Sequence, residues 1–405
     1  MTIVYFIFLL LAAYCSFKYD GIVDENPKKN HRFWLLCVML IFISGMSYGL
    51  GGDKFQYMLE FESYPRDFGQ LRQQIVLGFI LRSQMPGWVI MNMLCKTIFN
   101  SFYAVQFVEA ICINVSICCF VRNYTKHYFL FLIIYFVSFT YFMFNTDVMR
   151  EAMSMSFMLF AFTAYLKGQK VRFYLLILAA LMFHFTAIVA LLFPFVRIKY
   201  SHYMFYVAFG TAFALWIGSD ILITHVLSRL GGTGNLINKI FMYSIQASTI
   251  FGFLRSTISY IVFPFITMYY SIKWEEDEEL AEKKRKFYSF QILLAIVASA
   301  FVGLTRVQNS AHIIYLVMLT DFVYLLFRKK RDHQGLRLFN TIGIFVFFIW
   351  QYSSYWPKTG MYYFQLWFPY TTGLDEYRDV EFREMGHNEV LNPDKDDKSR
   401  RDVNF

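Results

Sequence analysis

The sequence predicts an all-α polytopic membrane protein with about 11–12 transmembrane helices, at about twenty residues per crossing. Three observations predict it. Of the 405 residues, 57% are hydrophobic and 21% aromatic, and only 17% are charged, against roughly a quarter in an average soluble domain. The apolar residues fall in long continuous runs rather than alternating stretches of about ten, which excludes an outer-membrane barrel. Lys and Arg sit in short clusters between those runs, as topology signals do. A single soluble core stops growing at about 250–300 residues, so a soluble enzyme is excluded, as are a disordered and a collagen-like chain. The same clustering accounts for the net charge of +9 with no nucleic acid as partner. The six cysteines show no C-x-x-C pair and no zinc spacing, so they read as small membrane hydrophobes, and no metal or cofactor is required.

The first run, Thr2–Phe17, lacks the basic start and small-residue cleavage site of a signal peptide and reads as a span. Phe33–Gly52 is the second, and Ser101–Val121 follows, interrupted only by Glu109. Then come Tyr128–Asn145, Arg150–Leu166, Phe173–Val196, Tyr203–Ile223, Phe251–Ile272, Phe287–Leu304, Ser310–Phe327 and Leu338–Ser353. Residues 1–353 form the membrane domain. It has two outer loops, 53–100 and 224–250, the first ending in an interfacial or re-entrant helix over 86–99. Residues 354–405 form an aromatic interface segment, with Tyr362, Tyr363, Phe364, Trp367 and Phe368, and then a polar, partly disordered tail.

Direction follows from the basic residues. Lys18, Lys28, Lys29 and Arg32 place the first loop in the cytoplasm. Alternation then works until Phe173–Val196. A single span there would put Arg197 and Lys199 outside, and the later clusters at Lys283–Lys286 and Arg328–Arg331 would flip with them. Breaking residues 173–196 into a helical hairpin with His184 at its apex repairs every sign. Such broken helices are tolerated where they are buried or line a cavity. One long tilted helix with a buried His is the plainer alternative.

Charges inside spans are costly, at least about 2.5–3.5 kcal/mol for an Arg at the bilayer centre, so the exceptions mark candidate sites. All lie at the outer face in this topology. Gly49-Leu50-Gly51-Gly52-Asp53, with Tyr57 beyond, is not a phosphate loop because it lacks the Lys-Ser/Thr and any βαβ context. Asp53 could simply cap a helix. Asp147 and Arg150 open a helix, either as a cap and local ion pair or as site residues. An Arg at a helix N-terminus is unfavourable by dipole, which leans toward function. His184 is a packing residue or a site residue. Arg306, with Asn309 one turn on, and Arg255 end their spans at the same face, where snorkelling is the bland account. Arginine suits a diphosphate through bidentate hydrogen bonds. A lipid-linked sugar carries its own diphosphate leaving group and needs no nucleotide motif.

The order of Gly52-Asp53 with Tyr57, Pro86-Gly87 before an apolar helix, Asn145 to Arg150, Phe183-His184-Phe185-Thr186-Ala187, the Arg306 helix and Phe368-Pro369-Tyr370 resembles the EpsG family of Wzy-type O-antigen and capsular polysaccharide polymerases. The resemblance covers nearly the whole chain. That family commonly has an Arg shortly before its Gly-x-Asp, where this chain reads Gly45-Met46-Ser47-Tyr48-Gly49, so that role is absent or has moved. The resemblance implies a multi-pass enzyme of the bacterial inner membrane. It would join undecaprenyl-diphosphate-linked oligosaccharide repeats, as donor and acceptor, into capsule, exopolysaccharide or O-antigen. Membrane lipids and the pathway's chain-length regulator and flippase are the further partners it implies. Arg150 and Arg306 would hold the diphosphate and His184 would orient or deprotonate the acceptor hydroxyl, with Asp53 as the alternative base. Tyr57, Asp147, Arg255 and Asn309 would bind substrate. Another polyprenyl-sugar glycosyltransferase would need the same outer site. A lipid-linked glycan transporter or flippase would need polar residues through the depth of its helices, and here they cluster on one side.

Overall fold

The structure is a computed structural model. It describes residues 3–20, 27–51, 53–82, 84–138, 140–219, 249–301, 304–329, 367–368 and 370–372. Among these, helices make up the regular structure, and one isolated antiparallel bridge joins Ser47 to Thr372. The chain is an all-helical membrane protein.

The helices run in order as α1 (Ile3–Tyr19), α2 (Pro27–Gly45), α3 (Lys54–Glu62), α4 (Leu71–Arg82), α5 (Pro86–Ile98), α6 (Phe102–Tyr124), α7 (Tyr128–Val137) and α8 (Thr140–Phe142). A π turn, Met143–Asp147, leads into α9 (Met149–Leu166). After it come α10 (Lys170–Leu181), a 3-10 segment (Phe185–Leu192) and α11 (Met204–Ile217). Helix α12 (Ile250–Thr257) passes through a second π turn (Ile258–Val262) into α13 (Phe263–Lys273), then α14 (Glu278–Ala300) and α15 (Thr305–Lys329).

Local sequence sets several of these boundaries. Pro86 starts α5, where its missing N–H costs nothing. Ser101 caps α6 by accepting from Tyr103 N at 3.3 Å, and Asp277 caps α14 by accepting from Leu280 N at 3.1 Å. Helix α1 shows the division between core and lipid. Tyr5, Phe8, Ala12 and Cys15 are buried, whereas Ile3, Phe6, Ile7, Leu10, Leu11, Tyr14 and Phe17 form an exposed stripe. An apolar stripe of that length on a helix surface marks a membrane-facing side.

The spans differ from expectation in three places. The second ends at Gly45 rather than Gly52, because residues 46–51 leave the helix to pair with the C-terminal segment. Tyr128–Asn145 is not one straight span, since its two halves stand 78° apart. The predicted loop 53–100 holds α3, α4 and α5, with α5 close to the expected 86–99 helix. Among the described residues, three helical stretches are long and apolar enough to cross a bilayer alone: Phe102–Tyr124, Ile250–Lys273 and Arg306–Leu326. The bent pair would make a fourth. The shorter helices reflect how often turns interrupt the apolar runs.

The break at His184 is present. Helix α10 stops at Leu181 and the 3-10 segment starts at Phe185. The two arms return to one level, since Phe173 and Phe193 pack on Tyr165 at 5.4 and 5.5 Å between ring centres. Lys286 Nζ donates to the carbonyls of Pro194 (3.1 Å) and Val196 (2.6 Å), so the Arg197 and Lys283–Lys286 clusters share one end of the bundle. At that end Lys284 forms ion pairs with Asp321 (2.7 Å) and Glu275, and Thr125 donates to Asp321. Removing one partner of such a buried pair costs about 3–5 kcal/mol, because the other charge is left uncompensated.

The interface anchor proposed for the tail is not what Trp367 forms. Its side chain is buried in the core, and Tyr5 packs edge-on against Phe142, Phe368 and Tyr370 at 5.2–5.4 Å. Apart from residues 367–368 and 370–372, the predicted tail lies outside the described residues, as do the 338–353 span and nearly all of the 224–250 loop.

Candidate functional site

The site lies at the end of the bundle away from Lys284. Its floor is the first π turn. Asn145 Nδ2 donates to Tyr141 O at 2.8 Å, and Asn114 Nδ2 donates to Asn145 Oδ1 at 2.7 Å, which satisfies polar groups in the widened turn. The Gly49–Gly51 loop presses on this floor. Gly51 has φ +87°, and a Cβ there would stand 2.6 Å from Asp147 Oδ1 and from Thr146 Cβ and Oγ1, so only glycine fits. The C-terminal segment closes the wall. Tyr48 N donates to Thr371 O at 2.9 Å, Thr371 Oγ1 to Tyr48 O at 2.7 Å, and Trp367 Nε1 to Thr146 Oγ1 at 3.1 Å.

Behind that wall stands a buried charge that the sequence did not single out. Lys54 is fully buried, and its Nζ donates to Ser47 Oγ at 2.7 Å. Burial pushes the Lys54 ammonium down to about 7, against the pull of Glu109 and Asp147. Glu109, noted in the sequence only as an interruption of a span, is itself fully buried. A cation thus reaches Ser47, within the stretch that lacks the family's Arg, from seven residues downstream.

Arg150 turns away from its neighbour Asp147 toward α3. Its guanidinium carbon lies 5.5 Å from the centre of the Tyr57 ring, and Glu60 and Asp53 are in electrostatic reach. Its Nε has no hydrogen-bond partner. Burial holds the Tyr57 hydroxyl up, so it stays protonated. Tyr57 packs on Trp88 at 5.3 Å. One residue earlier, Gly87 N donates to Met182 O at 2.6 Å, which ties α5 to the apex carrying His184. His184 adopts an extended backbone and caps the 3-10 segment, its Nδ1 2.7 Å from Thr186 Oγ1.

The expected local roles of two carboxylates do not hold. Asp53 sits at the N-cap position of α3 but makes no side-chain cap bond. Asp147 does not cap α9: Val148 holds that position, and Asp147 ends the π turn facing Gly51 and Lys54. The physical reason is the π turn, which rotates Asp147 out of the α9 first turn and leaves Arg150 to α3.

A second group stands across α9. Glu151 is buried, with Arg306 and Asn309 in electrostatic reach. Arg306 itself is exposed at the start of α15. Asn309 and Arg255 line one cavity of about 320 Å³. The structure thus brings Asp53, Tyr57 and Arg150 together, places Asp147 behind them with Lys54, and puts Arg306, Asn309 and Arg255 on the far side of Glu151. His184 joins through the Met182–Gly87 bond. Sequence reasoning missed Lys54, Glu60, Trp88 and Glu151 as members of the site. For Glu151 a signal was available, since it adjoins Arg150 in an otherwise apolar helix.

One turn along α9 from Arg150, Met153 lines an open apolar groove of about 510 Å³ together with Gly87, Met91, Leu94, Met182 and Phe183. Among the described residues no group of three or more His, Cys, Asp or Glu could hold a metal ion.

One comparison with known proteins gives a match: the EpsG family model aligns with residues 32–372. No curated protein and no solved structure matches the chain.

Proposed function

The chain belongs to the EpsG family, a Wzy-like polymerase family, and from that premise we propose that it polymerises undecaprenyl-diphosphate-linked oligosaccharide repeats into a surface polysaccharide. In this reading the bundle crosses the bacterial inner membrane about twelve times and the site faces outward.

One observation carries the proposal: a single helix, α9, holds the cation of Arg150 and, one turn on, a wall residue of an apolar groove, Met153. Arg150 lies over Tyr57 with one donor unpaired, and Met153, one turn along α9, lines the groove with Met182. A long isoprenoid tail suits the groove, and the diphosphate at its head then meets the guanidinium. The acceptor hydroxyl oxygen forms a bond to the anomeric carbon, and the bond from that carbon to the diphosphate oxygen breaks. Charge grows on the departing diphosphate, where Arg150 and Arg306 stabilise it. The hydroxyl proton passes to His184, with Asp53 as the alternative acceptor. Tyr57 and Asp147 hold the donor, and Arg255 and Asn309 the acceptor.

The test is conservative substitution. Lysine keeps the charge but not the planar fork that binds two phosphate oxygens. Arg150→Lys and Arg306→Lys should each cost about 1.5–3 kcal/mol, roughly ten- to a hundredfold in rate. The readout is the ladder of lipid-linked glycan, with membrane levels measured alongside. A normal ladder from both well-expressed variants refutes the diphosphate role.

A further inference from the structure

The cavity of about 320 Å³ lies where α12, the second π turn, α13, α14 and α15 meet. Its lining includes Gln291, Gln308, Asn309, His312, Arg255 and Tyr260. Gln291 is 1% exposed, and neither its amide oxygen nor its amide nitrogen has a hydrogen-bond partner. Gln308, on a different helix, is 4% exposed, and its Oε1 is also unpartnered. Buried amides are normally satisfied, so two in one cavity point to a ligand that supplies both donors and acceptors.

The lining selects the chemistry of that ligand. It contains amides, hydroxyls, aromatic rings and one Arg, but no Asp or Glu. The volume sits at the lower end of the range for small-molecule sites. Both π turns border it, one through Met143 and the other through Ser259 and Tyr260, and such turns recur at functional sites. Asn309 belongs both to the cavity and to Glu151, and Glu151 adjoins Arg150. The cavity is thus linked to Arg150 through Asn309 and Glu151.

We propose that this cavity is a glycan subsite that takes an uncharged sugar residue of the acceptor repeat, read by Gln291 and Gln308. This rests on the polymerase reading for the identity of the sugar's carrier, but not for the sugar itself.

Equilibrium binding to the purified full-length protein in nanodiscs tests it with two probes. One is the mixture of lipid-free oligosaccharides released by mild acid from the source strain's own polysaccharide. The other is undecaprenyl diphosphate. Wild type should bind both. Gln291→Leu and, on its separate helix, Gln308→Leu should each bind the oligosaccharides about tenfold more weakly and undecaprenyl diphosphate unchanged. The retained lipid binding shows that each variant is folded. A wild type that does not bind the oligosaccharides, or variants that bind them as wild type does, overturn the subsite, and the cavity then holds water only. The same preparations, assayed for polymer, separate the two claims. Glycan binding through Gln291 without polymerisation refutes the polymerase reading and leaves the subsite standing. Polymerisation with glycan binding indifferent to Gln291 does the reverse.

Discussion

The contact between Gly87 and Met182 can be broken by a single methyl group. At Gly87 an added Cβ would stand 2.6 Å from Met182 O and 3.0 Å from Met182 C and Cβ. The nearest atom is backbone, so no side chain can swing aside. Ordinary contact requires about 3.5 Å, so the apex must retreat by roughly 1 Å. That movement also breaks the 2.6 Å bond from Gly87 N. The lost hydrogen bond costs about 0.5–1.5 kcal/mol and the overpacking about 1–3. Gly87→Ala should therefore destabilise the protein by about 1.5–4.5 kcal/mol. Its effect on polymer should be larger than stability explains, because His184 moves with the apex and a 1 Å misplacement can cost about a hundredfold. Thermal unfolding of the purified protein and the glycan ladder measure the two effects. Gly210→Ala is the control: it lies inside α11 with nothing within 4 Å of its Cβ position, so it should be neutral or stabilising by about 0.5–1 kcal/mol. A Gly87→Ala protein as stable as that control, with full-length chains, refutes the idea that α5 holds the apex.

Two further predictions concern single side chains. His184→Asn keeps a good capping group over Thr186 but removes the imidazole, so it should fold normally, accumulate single lipid-linked repeats and lose about 10²–10⁴ in rate; an unchanged chain-length distribution assigns His184 to capping alone. Lys54 holds its proton less tightly folded, at about 7, than at its ordinary 10.5. The unfolded chain therefore binds that proton more strongly, and stability should rise as pH increases through this window. Lys54→Met should lack that rise; a wild-type midpoint with the same pH dependence as Lys54→Met shows that Lys54 does not titrate in the fold.

Much of the fold was legible because it follows from one-dimensional signals. Apolar runs gave the helical class, Pro86 gave the start of α5, and the signs of the basic clusters gave the turn at His184. The failures have a common cause. A π turn has no residue signature, so nothing in Met143–Asp147 announced that Asp147 would leave the α9 first turn and that Arg150 would reach Tyr57. Lys54 and Glu109 stand on separate elements, and only packing brings their charges into reach. Trp367 could serve an interface or a core equally well, because its ring suits both and its N–H needs one partner. That partner, Thr146, lies 221 residues away. The sequence put Asp53, Tyr57 and Arg150 at one outer face with His184 and Arg306, but it gave no sign of the groove built from α5, α9 and the hairpin.

Tyr5 in the first helix donates to Trp367 O across 362 residues, and this bond sets an order of events during synthesis. The floor and the glycine loop are translated early, yet their covering residues, 367–368 and 370–372, are the last of the described chain to leave the ribosome. Until then Thr146 lacks its indole partner and Tyr48 its pairing segment. A product stopped short of Trp367 therefore exposes polar backbone and a gap in an apolar wall, the kind of defect that proteolytic surveillance of the membrane detects. Truncated products should be cleared rather than persist as weakly active forms, and a reporter fused after residue 372 should read out completed assembly rather than mere insertion.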